Sequence, residues 1–432
     1  MRKAFVWAGV LALFAVETAT AAVVAVDRVQ QRYPWNGLVD IDYTIAGVEG
    51  DGCNYRLALS CSATVGGVAV TRPLTNFTVY AACDLPTSNG TWRVTWDANA
   101  DGLSFQAEDL KIAANLYQVS GLSLENAAYV VIDLSSGAKK ANGAKGTAYP
   151  VRYIAPGLAT AATFNKRLYK TDRLVLQRVA GGTFQMGDTS WVQSKPIHEV
   201  TLSDYFLGIF EVTATQYLRV MAQVGQVKSG IMEGNPVDER PEESIATPDM
   251  CMYSWVKGST ANDGFSKLLN EKALYCGAAI VDGETTTFTL PTEAQWEYAC
   301  RAGTTTKYFW GTDANLLARY AWTSENSAGN PHAVGSLKPN DWGFYDMIGN
   351  VSEIVADWWA SGYSADAVTD PTGPATGTKK IFRGGNWHVT LADGAYGGAC
   401  GFRNSNAVLA PTEANACGSG GCIGFRIAIR LK

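Results

Sequence analysis

The chain has 432 residues, 47% of them hydrophobic and 17% charged, with a mean hydropathy near zero, which excludes disordered, collagenous and coiled-coil classes. A net charge of −5 gives no electrostatic footprint for nucleic acid or for an anionic membrane surface, so neither is expected as a partner. Abundant Gly, Trp and Tyr favour turn-rich, aromatic-cored β or irregular structure over long helices, and the length suggests two or three folding units at roughly 100–200 residues each.

Residues 1–21 read as an export signal. Arg2 and Lys3 precede an apolar run from Ala4 to Val16, and Ala19-Thr20-Ala21 supplies an A-x-A cleavage site. The run falls short of the ~20 residues that span a bilayer, so cleavage is expected to leave no membrane span and a secreted or periplasmic chain. In such a compartment the nine cysteines are disulfide candidates before they are metal ligands. Three scattered histidines with no His-x-x-x-His spacing give a zinc site little to be built from.

Over 22–119 the signal is alternation. Val39, Ile41, Tyr43 and Ile45 alternate with Asp40, Asp42 and Thr44; Tyr55, Leu57 and Leu59 follow, and Trp92, Val94 and Trp96 alternate with Arg93 and Thr95. Gly-rich and Asn-Gly breaks between them predict an antiparallel β-sandwich. Residues 120–165 read as a linker with one or two strands, Tyr129–Leu134 being the clear one, followed by the flexible composition SSGAKKANGAKG.

From 166 to 432 the texture changes to short helices joined by aromatic, glycine-rich loops. Thr213-x-x-Gln216 and Thr292-x-x-Gln295 predict capping boxes, each opening a helix. On the second helix Glu297 and Arg301 are spaced i, i+4, which predicts a surface ion pair worth only ~0.3–0.5 kcal/mol.

Seven phrases occur in one order across about 172–432: GGTFQMGD (181–188), KPIHEVTLSDYFLGIFEVTATQY (195–217), LPTEAQWEYACRAG (290–303), YFWG (308–311), KPNDWGFYDMIGNVSE (338–353), FRGGNW (382–387) and GFR (424–426). Together they resemble the formylglycine-generating enzyme, or sulfatase-modifying-factor, family. The resemblance implies a mixed α/β, C-type-lectin-like domain with little regular secondary structure, an aromatic core and bound ions, following the N-terminal sandwich.

Members of that family that oxidise a substrate cysteine carry two redox cysteines after the Arg-Gly-Gly motif and bind copper through them. The matching positions here are Val389 and Gly394, neither of which supplies a thiolate, so copper is not expected. Ser352 stands where the family has Trp before the Glu of GN-x-W-E, and Asn386 where it has the Ser of RGGS. By resemblance, Cys300 and Cys400 match a structural disulfide, with a buried free thiol as the alternative. Cys417 and Cys422, in CGSGGC, read as a small disulfide loop or as a substitute for the lost pair.

The family's calcium site falls on the side chains of Asp346 and Glu353 and the carbonyls of Gly349 and Val351, oxygen donors of the kind a structural calcium ion takes. After the RGG motif, His388, Tyr396, Phe402, Arg403, Asn404 and Asn406 form a candidate contact set for a protein, peptide or glycan ligand. The expectation is a non-catalytic, calcium-stabilised binding module, and the competing expectation is an oxidase converting a sulfatase cysteine to formylglycine.

Overall fold

The computed structural model describes residues 22–33, 36–48, 54–65, 68–103, 109–135, 149–221, 239–242, 265–275, 288–377, 379–390, 398–403 and 422–431. The export signal and its cleavage site lie outside these residues, as does most of the SSGAKKANGAKG stretch. Backbone contacts divide the chain into two compact units, one built mainly from residues up to Asn126 and the other mainly from Ala127 onward.

The first unit contains two three-stranded antiparallel sheets. In one, β2 (Leu38–Ala46) runs between β1 (Val23–Gln31) and β5 (Gly90–Asp97); in the other, β3 (Tyr55–Val65) runs between β4 (Val68–Pro73) and β6 (Lys111–Gln118). The alternation on β2 does what the pattern predicts. Val39, Ile41, Tyr43 and Ile45 are buried in an apolar cluster that also holds Leu57, Leu59, Val94 and Trp96. On the other face, Asp42 accepts from Arg93 Nε at 2.6 Å and Asp40 from Thr95 at 2.7 Å across β2 and β5, the cross-strand pairing that fixes register.

In the second unit β7 (Tyr129–Asp133) and β8 (Tyr149–Ile154), both from the segment expected to link the units, join a seven-stranded sheet. Its other members are β9 (Arg173–Val179), β12 (Tyr205–Gly208), β13 (Ala273–Tyr275), β14 (Phe288–Thr289) and β19 (Ala428–Arg430), in the order β13-β8-β7-β9-β12-β19-β14. Two small sheets complete it: β10 (Gly182–Met186), β11 (His198–Leu202) and β16 (Val368–Thr369); and β17 (Lys380–Arg383), β15 (Ser352–Trp358) and β18 (Ile423–Gly424). The described residues are therefore mostly β with few helices. Helical segments at Ala214–Met221, Phe265–Lys272 and Glu293–Arg301 are short, and none among the described residues is long and apolar enough to cross a membrane.

Both expected capping boxes form: Thr292 accepts from Gln295 N and Gln295 Oε1 from Thr292 N, and Thr213 and Gln216 repeat the exchange. Aromatic side chains fill much of the space that longer helices would occupy. Tyr217 stacks on Phe265 at 5.8 Å, Phe265 meets Phe425 edge-on at 5.3 Å, and Tyr298 meets Trp342 at 4.9 Å.

Candidate functional site

The turn Asp346–Glu353 is wound by backbone rather than by side chains. Asp346, Gly349 and Asn350 all have left-handed φ, 55°, 83° and 55°, and at Gly349 a Cβ would stand 2.3 Å from the carbonyl oxygen of Trp322, so only glycine fits there. The turn delivers Asp346 and Glu353 into the interior, where both are buried.

Glu353 is held by a guanidinium. Arg426 Nε lies 3.0 and 2.9 Å from its two carboxylate oxygens and Nη2 lies 2.7 Å from Oε1, while Trp296 Nε1 donates to Oε2 at 2.8 Å. Arg426 also donates to the carbonyls of Gly208 and Tyr345. Burial works against the charge on Arg426, and Glu353 beside it holds the guanidinium protonated.

A third carboxylate belongs to this cluster. Glu211, at 0% exposure, accepts from Asn350 Nδ2 at 2.6 Å and Val351 N at 3.1 Å, tying β12's outgoing chain to the turn. Burial pushes its carboxyl well above the usual range, and the negative charges of Asp346 and Glu353 push it further. Asp346 is raised to about 6, again by burial first, although Gly335 N donates to its Oδ2 at 2.7 Å.

Three buried carboxylates thus face one guanidinium, with the Lys170 ammonium a further positive charge acting on Asp346. Sequence reasoning missed Glu211 and the role of Arg426. The available signal was a charged residue set directly in an apolar run, Glu211 after Tyr205–Phe210 and Arg426 between Phe425 and Ile427.

Burial pushes Glu211 and Asp346 toward their neutral forms, and among the described residues no group of three His, Cys, Asp or Glu side chains is arranged to hold a metal ion. Asp346 and Glu353, the side chains the resemblance assigns to calcium, both lie in this cluster, Glu353 with both oxygens on Arg426. Val389, at one of the two positions that match the redox cysteines, donates its N–H to Asn386 O and accepts from Ser324 N, and its apolar side chain supplies no thiolate. Gly394 lies outside the described residues.

A second buried ionic cluster rests on the helix Glu293–Arg301. Arg383 reaches Glu293 at 3.3 Å and pairs with Glu297; Arg301 lies 2.8 Å from Glu297, and Arg403 Nε lies 2.6 Å from Glu293. The expected Glu297–Arg301 surface pair is therefore a core pair, Glu297 being 0% exposed, because the helix packs this face inward against the RGG strand. Arg403 and Phe402, expected to face a ligand, are also buried. The Arg403 guanidinium lies over the rings of Trp359 and Tyr363 at 4.7 and 4.3 Å, and Phe402 meets Trp191 edge-on at 5.0 Å.

His388 is exposed and lies 5.4 Å from Trp387, with its backbone N–H donating to Asn386 Oδ1. Tyr396, Asn404, Asn406 and Cys417 lie outside the described residues. Cys300 and Cys400 are brought together, sulfur to sulfur at 3.3 Å, as buried unbonded thiols; Cys422, also a free thiol, is buried just before β18, its carbonyl accepting from Ser352 N.

The sulfatase-modifying factor enzyme 1-like domain matches residues 161–431. Over 284 residues the chain is 27% identical to the formylglycine-generating enzyme of Streptomyces coelicolor, covering 58% of this chain and 88% of that one. It is 33% identical over 110 residues to the formylglycine-generating enzyme of Mus musculus, covering 23% of this chain and 30% of the relative. Several of the curated relatives are much longer than the match, and the chain spans about a third of their length. Among solved structures, Treponema denticola variable protein 1 aligns with a TM-score of 0.47 at 27% identity, over 60% of this chain and 96% of that one.

Proposed function

The chain belongs to the sulfatase-modifying factor enzyme 1-like family over residues 161–431, and on that footing we propose that it is an exported, non-catalytic binding module of the family, stabilised by calcium. The observation that carries this reading is the state of the position that matches the family's redox cysteine. Val389 closes a hydrogen-bonded turn with Asn386 and Ser324, so the place that would need a nucleophilic sulfur carries an isopropyl group. The two sheets of the first unit are read as a β-sandwich module that accompanies it. A cleaved signal at 1–21 takes the chain to the periplasm or outside the cell, where Cys300 and Cys400 close a disulfide. The contact surface centres on His388 and the stretch that follows it, and its ligand is a protein, peptide or glycan.

Two experiments test this. Incubation with copper and a C-x-P-x-R peptide is expected to leave the peptide cysteine unconverted; turnover lost in Cys417→Ser or Cys422→Ser would establish the oxidase instead. Chelation by EGTA is expected to lower Tm, because an ion bound only to the folded state stabilises it by mass action, and Asp346→Asn is expected to remove that response. A melting curve indifferent to EGTA removes calcium from the proposal.

A further inference from the structure

Asn350, buried in the turn at 346–353, holds three other stretches of chain against one another. Its N–H donates to Trp322 O at 2.8 Å, its carbonyl accepts from Trp387 N at 2.8 Å, and its Oδ1 accepts from His332 N at 2.9 Å. The Trp322 and His332 rings stack nearly parallel with centroids 3.7 Å apart. Both residues are half-buried, so part of the stack meets solvent. His332 Nε2 lies 2.9 Å from Ser327 O; a carbonyl only accepts, so that nitrogen carries the proton and Nδ1 is the acceptor of the neutral ring.

Hydroxyls border the stack. Trp322 Nε1 donates to Oγ of the exposed Ser336 at 3.0 Å, and the exposed Ser324 shares a hydrogen bond with the Thr390 hydroxyl at 3.1 Å. Ser324 N also donates to Val389 O, which lays residues 322–324 beside 387–390 and brings the exposed His388 into the same surface.

The composition of 321–336 and 384–390 narrows what this surface recognises. Neither segment contains Lys or Arg, and their one acidic side chain, the exposed Glu325, accepts from the hydroxyls of Thr323 and Ser324. An anionic ligand meets no cation there and one like charge. Neither segment forms a strand whose edge a peptide could extend, and the aliphatic Pro331 and Val334 are buried rather than offered as anchors. A sugar ring fits what remains: the C–H groups on one face of a pyranose rest on an aromatic ring, and its rim hydroxyls both donate and accept.

We propose that the Trp322–His332 stack, bordered by Ser324, Ser336, Thr390 and His388, binds an uncharged oligosaccharide, an inference that rests on the reading of His388 and its neighbours as a contact surface. One sugar ring lies on the stack, and the bordering hydroxyls, imidazoles and Glu325 take its hydroxyl groups.

The test applies the full chain to an array of gluco-, manno-, galacto- and chito-oligosaccharides beside sialylated, uronate and sulfated ones. Binding to an uncharged class is expected, with the free oligosaccharide competing. Trp322→Ala is expected to weaken it about tenfold through loss of a stacked ring. Ser336→Ala and His388→Ala change exposed side chains, are expected to keep the wild-type Tm, and each weakens binding about fivefold through loss of one hydrogen bond. No binding to any uncharged class, or affinity unchanged in all three variants, overturns the proposal. A peptide-display screen run in parallel distinguishes the two readings. Peptides retained by the wild type and lost in His388→Ala, with no saccharide bound, would keep the contact surface and exclude the sugar, and silence in both screens would remove both.

Discussion

Asn386 Nδ2 donates to Ser352 Oγ at 3.0 Å, and both residues are buried. These are the two positions at which the chain departs from the RGGS and GN-x-W-E patterns, so two departures that stand apart in the sequence meet in one contact. The same Asn386 accepts from His388 N through Oδ1, and the contact therefore also sets the turn that carries the exposed histidine.

Ser352→Ala removes the acceptor and leaves a buried amide unpaired, which is expected to cost about 1–3 kcal/mol. Denaturant melts of Ser352→Ala, Asn386→Ala and the double variant measure the coupling. A coupling energy near zero would mean that the contact contributes nothing.

Glu297→Ala is expected to destabilise by more than 3 kcal/mol, because it strands two buried guanidiniums that otherwise share that carboxylate. A surface pair would cost well under 1 kcal/mol, so urea titration of this one variant separates the two cases.

Asp357 has its carboxyl pushed up to about 7, by burial first and by Glu293 second, and Lys380 is lowered to about 8, also by burial. A carboxyl raised in the folded state favours folding while it is protonated, and that contribution is lost as pH climbs from about 4 to about 7. Asp357→Asn, which keeps an acceptor for Glu293 N, is therefore expected to gain stability relative to wild type as pH rises across that window, by on the order of 2–4 kcal/mol. Parallel pH–stability profiles for the two proteins would refute the assignment.

Cys300 and Cys400, sulfurs 3.3 Å apart in the core, are expected, in protein produced in an oxidising compartment, to resist alkylation in denaturant and to become reactive only after reduction. The bridge would close a loop of about 100 residues, for which chain entropy gives roughly 4–5 kcal/mol. Two alkylated cysteines in the unreduced, unfolded protein would show instead that the pair remains as thiols.

Local rules carried far in this sequence. Alternation at Val39–Ile45 marked a strand with the right face inward, and the Thr292 and Thr213 boxes marked two helix starts, because such signals depend only on neighbours within a few residues. Burial of charge was not legible. The i, i+4 spacing of Glu297 and Arg301 is the same on a surface and in a core, and only the arrival of Arg383 from a distant strand decides between them. Phe402 and Arg403 were misplaced for the same reason: a stretch without periodicity looks solvent-facing until Trp191, Trp359 and Glu293 are seen around it. Glu211 and Arg426, which join Asp346 and Glu353 in one buried cluster, come from segments that no spacing rule connects to that turn.

The place of β7 in the seven-stranded sheet bears on how the second unit comes together. Residues 129–133 pair with β9, whose other edge is held by β12, itself paired to residues 428–430. Such non-local closure makes for slow folding, and until it is complete β9 presents Leu174, Val175 and Leu176 along an open edge. A fragment cut at 166, where the texture of the sequence changes, would carry that sticky edge permanently and is expected to aggregate, whereas one that starts at 127 would bring its own cover.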